Sequence, residues 1–439
     1  MTKASHRFNP IQAWSQLPLA PRIIGALVLG IIAGLLMHER AGIFRELSDI
    51  ILKLLRALVT PLIFVAVVSS LIKADITAKS ARKIAWLLVT NTLVAIFIGL
   101  LVVNVVHPGT WASLGPAATK NNPRAVPKDF DESVAQASAR NLSKEKSKPF
   151  DPWGEMKDKV PDSIVGSFTA GKDVISVIII AVAFGLAFRK VKNRQILEGS
   201  ASYVPLENTI DTLFTCMMVA LHWIIDVIPF AVFGVVASIV GIKGFAPFIS
   251  LGAFVLSVLI ALALQVVFYL VRVTLSSWVR PKLFLTGGSE ALMTAFATAS
   301  STATMPLTFT CLKDKVGLRE ESASMGALVG SNFNNDGTAL YEAMAPLFVS
   351  QALGLPMPLM RQITVAFMSV VASVGAPGIP EAGLVTMLLV FTTVGLPIEY
   401  VPLLLTVDWF LDRSRTAVNV MGDMTVGCIL DGKKKKTAI

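Results

Sequence analysis

Charge is scarce in this chain: 15% of its 439 residues are Asp, Glu, Lys or Arg, against about 25% in an ordinary soluble domain. Set beside 54% hydrophobic residues and a mean hydropathy of +0.67, that scarcity excludes a typical soluble globular fold and points to lipid. Histidine is scarcer still. His6, His38, His107 and His222 are the whole complement, and all lie outside the polar second half described below. A membrane hydrolase using Ser300 or Ser301 as nucleophile would therefore lack a base, and the chain reads as a non-enzyme. Cysteine is nearly absent too: Cys216, Cys311 and Cys428 lie far apart, without paired spacing or neighbouring histidines. That argues against disulfides and against a zinc site, and no cofactor is expected.

What the chain has instead is apolar sequence in long runs. Ile23 to Met37, Leu58 to Ile72, Ile84 to Val106, Val174 to Phe188 and Phe248 to Val271 read as membrane-spanning helices, several of them shorter than a straight span. The run from Ile23 has no small-residue cleavage site and is followed by further runs, so it is read as the first helix of an all-α membrane protein. The net charge of +10 does not indicate nucleic acid, because the basic residues collect in short connections between apolar runs, the distribution that orients membrane proteins. Lys73, Lys79, Arg82 and Lys83, then Arg189, Lys190, Lys192 and Arg194, then Arg272, Arg280 and Lys282, and finally Lys433 to Lys436 mark successive cytoplasmic edges. This pattern places both termini on the cytoplasmic side of the cell inner membrane. Residues 109–162 switch to Lys, Asp, Glu, Asn, Ser and Pro without apolar periodicity, an external insertion.

From about Leu285 onward the chain is apolar but repeatedly interrupted, and an interrupted backbone at membrane depth is tolerated only where it lines a cavity or binds something. Three breaks stand out. Thr298 to Phe309, TASSTATMPLTF, is hydroxyl-rich and contains Pro306, the pattern of a hairpin tip; serines and threonines in membrane helices also simply bond back to the preceding turn. Asn334, Asn335, Asp336 and Gly337 interrupt an apolar helix running from Met325 to Val349, offering hard oxygen ligands where the chain can unwind. Ser373 to Gly383, SVGAPGIPEAG, is a second tip or a surface loop.

The segment Val407 to Asp423 carries the charge. At roughly 100° per residue, Asp408, Asp412, Arg415, Thr416, Asn419 and Asp423 share an arc of about 100°, one polar stripe on one helix. A charged side chain at membrane depth costs about 3 kcal/mol or more, so the stripe should face a protein interior and be paired. Two uses compete. Asp412 and Arg415 can bridge each other, or Arg415 can grip a carboxylate with its planar fork while Asp412 receives an ammonium group, which together would recognise a zwitterion bearing an extra acid. Arg413 lies off the stripe as a counter-charge or a snorkelling side chain. An ion-conducting pore lined by the same polar half is the rival reading.

The segments SSTATMP, NNDGTALYEA, GAPGIPEAG and DWFLDRSRTAVNVMGD, in this order, resemble the four signature segments of the dicarboxylate/amino acid:cation symporter family, which includes the glutamate transporters. The resemblance covers nearly the whole chain from Ile23 and is weakest in 109–162. It implies eight transmembrane helices plus two re-entrant helical hairpins related by inverted repeats, in a homotrimer. Residues 1–22 would be a cytoplasmic N-terminus, 23–284 mainly a trimerisation scaffold whose third and sixth spans join the transport domain, 285–431 the core of that transport domain, which moves elevator-fashion, and 432–439 a basic cytoplasmic tail. The same resemblance implies an acidic amino acid as substrate, glutamate or aspartate, because C4-dicarboxylate carriers lack an acid matching Asp412 and neutral amino-acid carriers lack the arginine at Arg415. Arg415 would take the side-chain carboxylate and Asp412 the amino group, with Thr416 and Asn419 adding polar contacts. Ser301 and Asn419, with backbone donors at the first tip, would hold the α-carboxylate, Ser300 beside them belongs to the substrate site, and Thr338, Ile379 and Gly383 would close around the rest. One sodium site would use carbonyls of Gly330, Asn334 and Asn419 with the Asp423 carboxylate. Another would use Asp336, Asn334 and Thr92 with neighbouring Asn91, and a carbonyl-only site would lie under the second hairpin.

Several positions depart from the family pattern. Asn335 stands where most sodium-coupled members have methionine, and Leu88 where a tyrosine contributes to the deeper sodium site, which leaves the number of sodium ions open. Thr302, Pro377 and Glu381 differ at the hairpin tips. Glu342 matches the position of a protonatable glutamate and suggests proton cotransport, since a carboxyl between apolar helices can take up a proton on one side and release it on the other; a permanent salt bridge to Arg413 or Arg415 is the alternative. A carrier driven by protons alone and potassium-coupled return of the empty carrier both stay open.

Overall fold

Apolar runs free of clustered Gly and Pro close their backbone hydrogen bonds internally, which is what lipid demands. The computed structural model describes residues 19–73, 78–111, 161, 163–169, 174–355, 357–375 and 382–434, and among these there is helix and no strand. The first half contributes α1 (Leu19–Met37), α2 (Arg45–Lys73), α3 (Ala78–Val106), α4 (Ile164–Thr169), α5 (Val174–Leu197), α6 (Val204–Lys243) and α7 (Ala246–Ser276). Among the described residues four stretches are long and apolar enough to cross a membrane: Pro21–Ile51, Lys83–Thr110, Val204–Ile242 and Phe248–Ser276.

The stretch in α6 was not among the runs named from sequence, because Glu207, Asp211 and Asp226 dilute its apolar signal. Each of those acids has a partner on another helix or turn. Lys192 Nζ reaches Glu207 Oε1 at 2.6 Å, Ser69 Oγ donates to Asp211 Oδ1 at 3.0 Å, and Arg22 Nη2 pairs with Asp226 Oδ1 at 2.9 Å. These ties hold α1, α2 and α5 to α6, and the four helices make most of their contacts with one another.

The second half is shorter-pieced. Its elements are α8 (Pro281–Thr298), α9 (Ser301–Thr310), α10 (Glu320–Ser324), α11 (Gly330–Phe333), α12 (Asp336–Ala352), α13 (Leu359–Gly375), α14 (Ala382–Thr393) and α15 (Val401–Asp431). A π-helical turn over Cys311–Val316 extends α9, and another over Met325–Val329 joins α10 to α11. The long helix α15 is buried along most of its length and packs against α7, α8, α12 and the second π turn, while α3 packs on α12 and α7. Of the insertion read as 109–162, residues 112–160 and 162 lie outside the described residues, as do 1–18 and the basic 435–439; its first residues are described, and Gly109 packs against Phe348 and Ala352 of α12.

Candidate functional site

The first two breaks predicted in the second half have visible structural causes; the centre of the third, 376–381 with Pro377, Ile379, Pro380 and Glu381, lies outside the described residues. At the first break α8 and α9 run against each other through a sharp turn. Ala299 adopts φ +52° there, a left-handed conformation that costs a non-glycine residue about 1 kcal/mol. The hydroxyls offset it: Ser300 is the N-cap of α9 and accepts from the Ala303 amide at 3.1 Å, Thr298 Oγ1 accepts from the Ser300 amide at 3.3 Å, and Ser301 Oγ donates across to the Ser331 carbonyl at 3.3 Å.

The second break opens between α11 and α12, where Asn334 (φ −105°, ψ 84°) and Asn335 (φ −111°, ψ 47°) leave helical geometry. Backbone groups freed there find partners on α15. Asn419 Oδ1 accepts from the Gly337 amide at 2.7 Å, which satisfies one of the unpaired donors at the start of α12, and Asn419 Nδ2 donates to Thr338 Oγ1 at 3.2 Å. Asn334 Nδ2 bridges two acceptors, the Asn419 carbonyl at 3.0 Å and Asp423 Oδ1 at 3.0 Å. Its own Oδ1 is buried without a partner. Gly330 sits so close that an added Cβ would stand 2.6 Å from Asp423 Oδ1. Gly330, Asn334, Asn419 and Asp423, expected from sequence to hold one sodium ion, are thus together. A half-turn of the Asn334 amide would place its partnerless oxygen between the Asn419 carbonyl and the Asp423 carboxylate, so the donor set fits a small cation.

One turn nearer the start of α15 the charged stripe is enclosed. Arg415 is 0% exposed; its Nη2 donates to Asp412 Oδ1 at 2.9 Å and its Nη1 lies 2.9 Å from Asp408 Oδ1. The guanidinium carbon stands 4.0 Å from the centroid of the Tyr341 ring, a desolvated cation–π contact. Gly383 of α14 faces Arg415 Nη2, and the Thr416 hydroxyl bonds back to the Asp412 carbonyl at 2.8 Å. The mutual bridging of Asp412 and Arg415 is therefore present. Arg413 leaves the stripe as expected and reaches toward the Ala297 carbonyl at the end of α8, at 3.4 Å.

Glu342 is buried on α12 with Thr386 of α14 and Arg415 as its polar surroundings, and no ion pair joins it to Arg413 or Arg415. The salt-bridge alternative for this residue is thereby set aside. The deeper cluster differs from expectation. Thr92 Oγ1 donates to Asp336 Oδ1 at 2.6 Å, as the proximity of these two residues required, but Asp336 Oδ2 is taken by the Tyr269 hydroxyl at 2.5 Å. The Asn91 side-chain oxygen accepts from Arg272 Nη1 and is turned to that guanidinium. Arg272, read from sequence as a marker of a cytoplasmic edge, is half-buried and points at this cluster, because a guanidinium so near Asp336 gains more from polar partners than from the surface.

The family model of the sodium:dicarboxylate symporters matches residues 19–433. The chain belongs to the sodium:dicarboxylate symporter family. Within that family it is similar to the human excitatory amino acid transporter 3, 29% identical over 94% of this chain and 85% of the human protein. An excitatory amino acid transporter of Caenorhabditis elegans is 29% identical over 91% of this chain and 84% of its own length, and excitatory amino acid transporter 1 of Ambystoma tigrinum is 29% identical over 91% and 80%. The family is one of transporters, and the long apolar helices are those of an integral membrane protein. Within this symporter frame, sequence reading passed over Tyr341 and the role of Asp408 as the second carboxylate on Arg415. It also passed over Gln265 and Tyr269, and it took Arg272 only as an edge marker. Their spacing of four and then three residues on α7 puts them on one helical face, a signal that was legible.

Proposed function

We propose that this symporter imports an acidic amino acid, glutamate or aspartate, together with sodium and protons, by elevator-type alternating access. The observation that carries cation coupling is a charge imbalance. Asp336, Glu342, Asp408, Asp412 and Asp423 are all buried on α12 and α15; among the described residues the basic side chains beside them are buried Arg415 and half-buried Arg272, with half-buried Arg413 turned away to the end of α8. Burying carboxylates in excess of cations is costly, and bound cations or protons offset that cost. An acidic amino acid adds a further net negative charge, so substrate and cations favour each other's binding.

Arg415 and Asp412 supply recognition. The side-chain carboxylate of the substrate takes the guanidinium fork in place of Asp412, and the freed Asp412 accepts the ammonium group. Ser300 and Ser301 at the α8–α9 turn, with Thr338, Thr416, Asn419, Gly383 and Ile379, complete the site. The cluster of Gly330, Asn334, Asn419 and Asp423 takes sodium as co-substrate, and Glu342 carries the proton. The architecture that suits this activity has eight spanning helices, with α8–α9 and α13–α14 as re-entrant hairpins in inverted repeats. We place it as a homotrimer in the cell inner membrane with both termini cytoplasmic. The segregation of α1, α2, α5 and α6 from the helices around α15 supports a scaffold and a moving transport domain, with α3 and α7 belonging to the latter.

A purely proton-driven carrier is the second reading, favoured by the buried Glu342 carboxylate, which no ion pair holds, and by the Arg272 guanidinium at the deeper cluster. Uptake of labelled L-glutamate and L-aspartate into proteoliposomes, with sodium, proton and internal potassium gradients imposed separately, decides between them. We expect accumulation against the gradient that requires external sodium. Accumulation on a proton gradient alone would establish the second reading, and non-saturating flux without accumulation would make the protein a channel. In the same assay Arg415→Lys keeps the charge that balances Asp408 and Asp412 but loses the fork; acidic amino-acid uptake should fall by about tenfold or more.

A further inference from the structure

The set of Asp336, Asn334, Thr92 and Asn91 does not fit the sodium ion that the family resemblance assigns to it; the Asn334 side chain is turned to Asn419 and Asp423 instead. Both oxygens of Asp336 are engaged by hydroxyl donors, Thr92 at 2.6 Å and Tyr269 at 2.5 Å. The Asn91 side-chain oxygen is engaged by Arg272, and the Asn91 carbonyl faces Gln265 Nε2 at 3.5 Å. The Arg272 guanidinium lies within electrostatic reach of Asp336 and is steadied over the Phe268 ring, its central carbon 5.6 Å from the centroid. A metal cation placed among these oxygens would stand against a fixed cation of the same sign. The neighbouring cluster around Asp423 is different. No basic side chain is bonded there, and the buried Asn334 Oδ1 lacks a partner. The two clusters adjoin, since an added Cβ on Gly422 would stand 2.7 Å from the Tyr269 hydroxyl while Gly422 also faces the Asn334 amide.

We propose that Arg272 is a built-in counter-cation: it supplies from within the chain the positive charge that the Asp336, Thr92 and Asn91 cluster would otherwise take from sodium, so that this cluster carries no coupling ion. Tyr269 acts with it by closing the second oxygen of Asp336. Leu88, where a tyrosine would reach the cluster from α3, accords with this, because Tyr269 on α7 already brings a hydroxyl to Asp336. Arg272 thereby sets ion specificity and lowers by one the number of sodium ions that can accompany each substrate. The inference deepens the sodium-coupled reading above but does not depend on which amino acid is carried.

The test counts bound sodium. Purified full-length protein in lipid nanodiscs is equilibrated with radiolabelled sodium, without amino acid, and the ions bound per chain at saturation are measured for the unmodified protein and for D336N, R272K, R272Q and the R272Q/D336N double variant. We expect D336N and R272K to bind as many ions as the unmodified protein, R272Q to bind one more, and the double variant to lose that extra ion. Loss of one ion in D336N alone would overturn the proposal, as would an unchanged count in R272Q that remains monodisperse on gel filtration. Where R272Q does not fold, a lower count in D336N still overturns the proposal, and R272M serves as a second uncharged variant expected to bind one more ion. If the unmodified protein binds no sodium, the sodium-coupled reading fails while the extra ion expected in R272Q, lost again in the double variant, still tests the proposal, so the two readings fail separately.

Discussion

Glu342 follows Tyr341 on α12, so the residue that stacks on Arg415 and the residue proposed to carry the proton are neighbours in sequence but point to different partners. Tyr341 faces the guanidinium and Glu342 faces Thr386 of α14. Neither carboxylate oxygen of Glu342 has a hydrogen bond of good geometry, and a proton removes the cost of holding such a group charged in an apolar interior. Replacing Glu342 with Gln retains shape and removes the exchangeable proton. Uptake by E342Q should lose its dependence on external pH, read as the ratio of initial rates at pH 6 and pH 8 in proteoliposomes; a ratio equal to that of the unmodified protein would rule Glu342 out. That Arg415, Asp412, Asn419 and Asp423 share one buried face of α15 was legible because polar residues at helical spacing in an apolar segment are conspicuous. Asp408 belonged to the same stripe, but its pairing with Arg415 two turns away depends on side-chain reach, which spacing alone does not fix.

At the scale of the element, the broken helix between α11 and α12 is held open by α15 and not by its own sequence. Asn, Asn, Asp and Gly announce a break, yet its geometry comes from the Asn419 side chain on the Gly337 amide and the Asn334 amide on the Asn419 carbonyl and Asp423. The close approach needs a residue without a side chain at Gly330. Gly330→Ala puts a Cβ 2.6 Å from Asp423 Oδ1, an overpacking of the kind that costs about 1–3 kcal/mol. Since Asp423 is a proposed sodium ligand, we expect G330A to raise the sodium concentration for half-maximal uptake by about tenfold while the thermal unfolding midpoint falls. An unchanged sodium dependence with lowered stability would separate packing from ion binding. Helix α6 carries the complementary lesson. Its three carboxylates hide an apolar helix from a reading of runs, and only their partners Lys192, Ser69 and Arg22 show why they can stay there.

Across the whole molecule, the helices sort into a group around α6 and a group around α15, and the exposed apolar residues of α1, α3, α6 and α7, such as Leu29, Trp86, Phe97, Trp223 and Val267, suit contact with lipid or with other copies of the chain. If the group around α6 is a trimerisation scaffold, native mass spectrometry from nanodiscs should give three chains per particle, and a single-chain mass would remove the trimer from the proposal. Sequence alone determined the class: scarce charge and long apolar runs leave few structures other than helices in lipid, and four ordered polar segments in the second half identify the family to which the chain belongs. Sequence also determined which residue types would meet, because polar side chains at membrane depth are too costly to leave unpaired. Only the tertiary structure decided who meets whom. It brought Arg272 of α7 to Asn91 of α3, gave Tyr269 to Asp336, and set Asp408 and Asp412 together on Arg415. Charges and hydroxyls on separate helices pair by distance in three dimensions, and that distance is written in the packing of the helices, not in the spacing along any one of them.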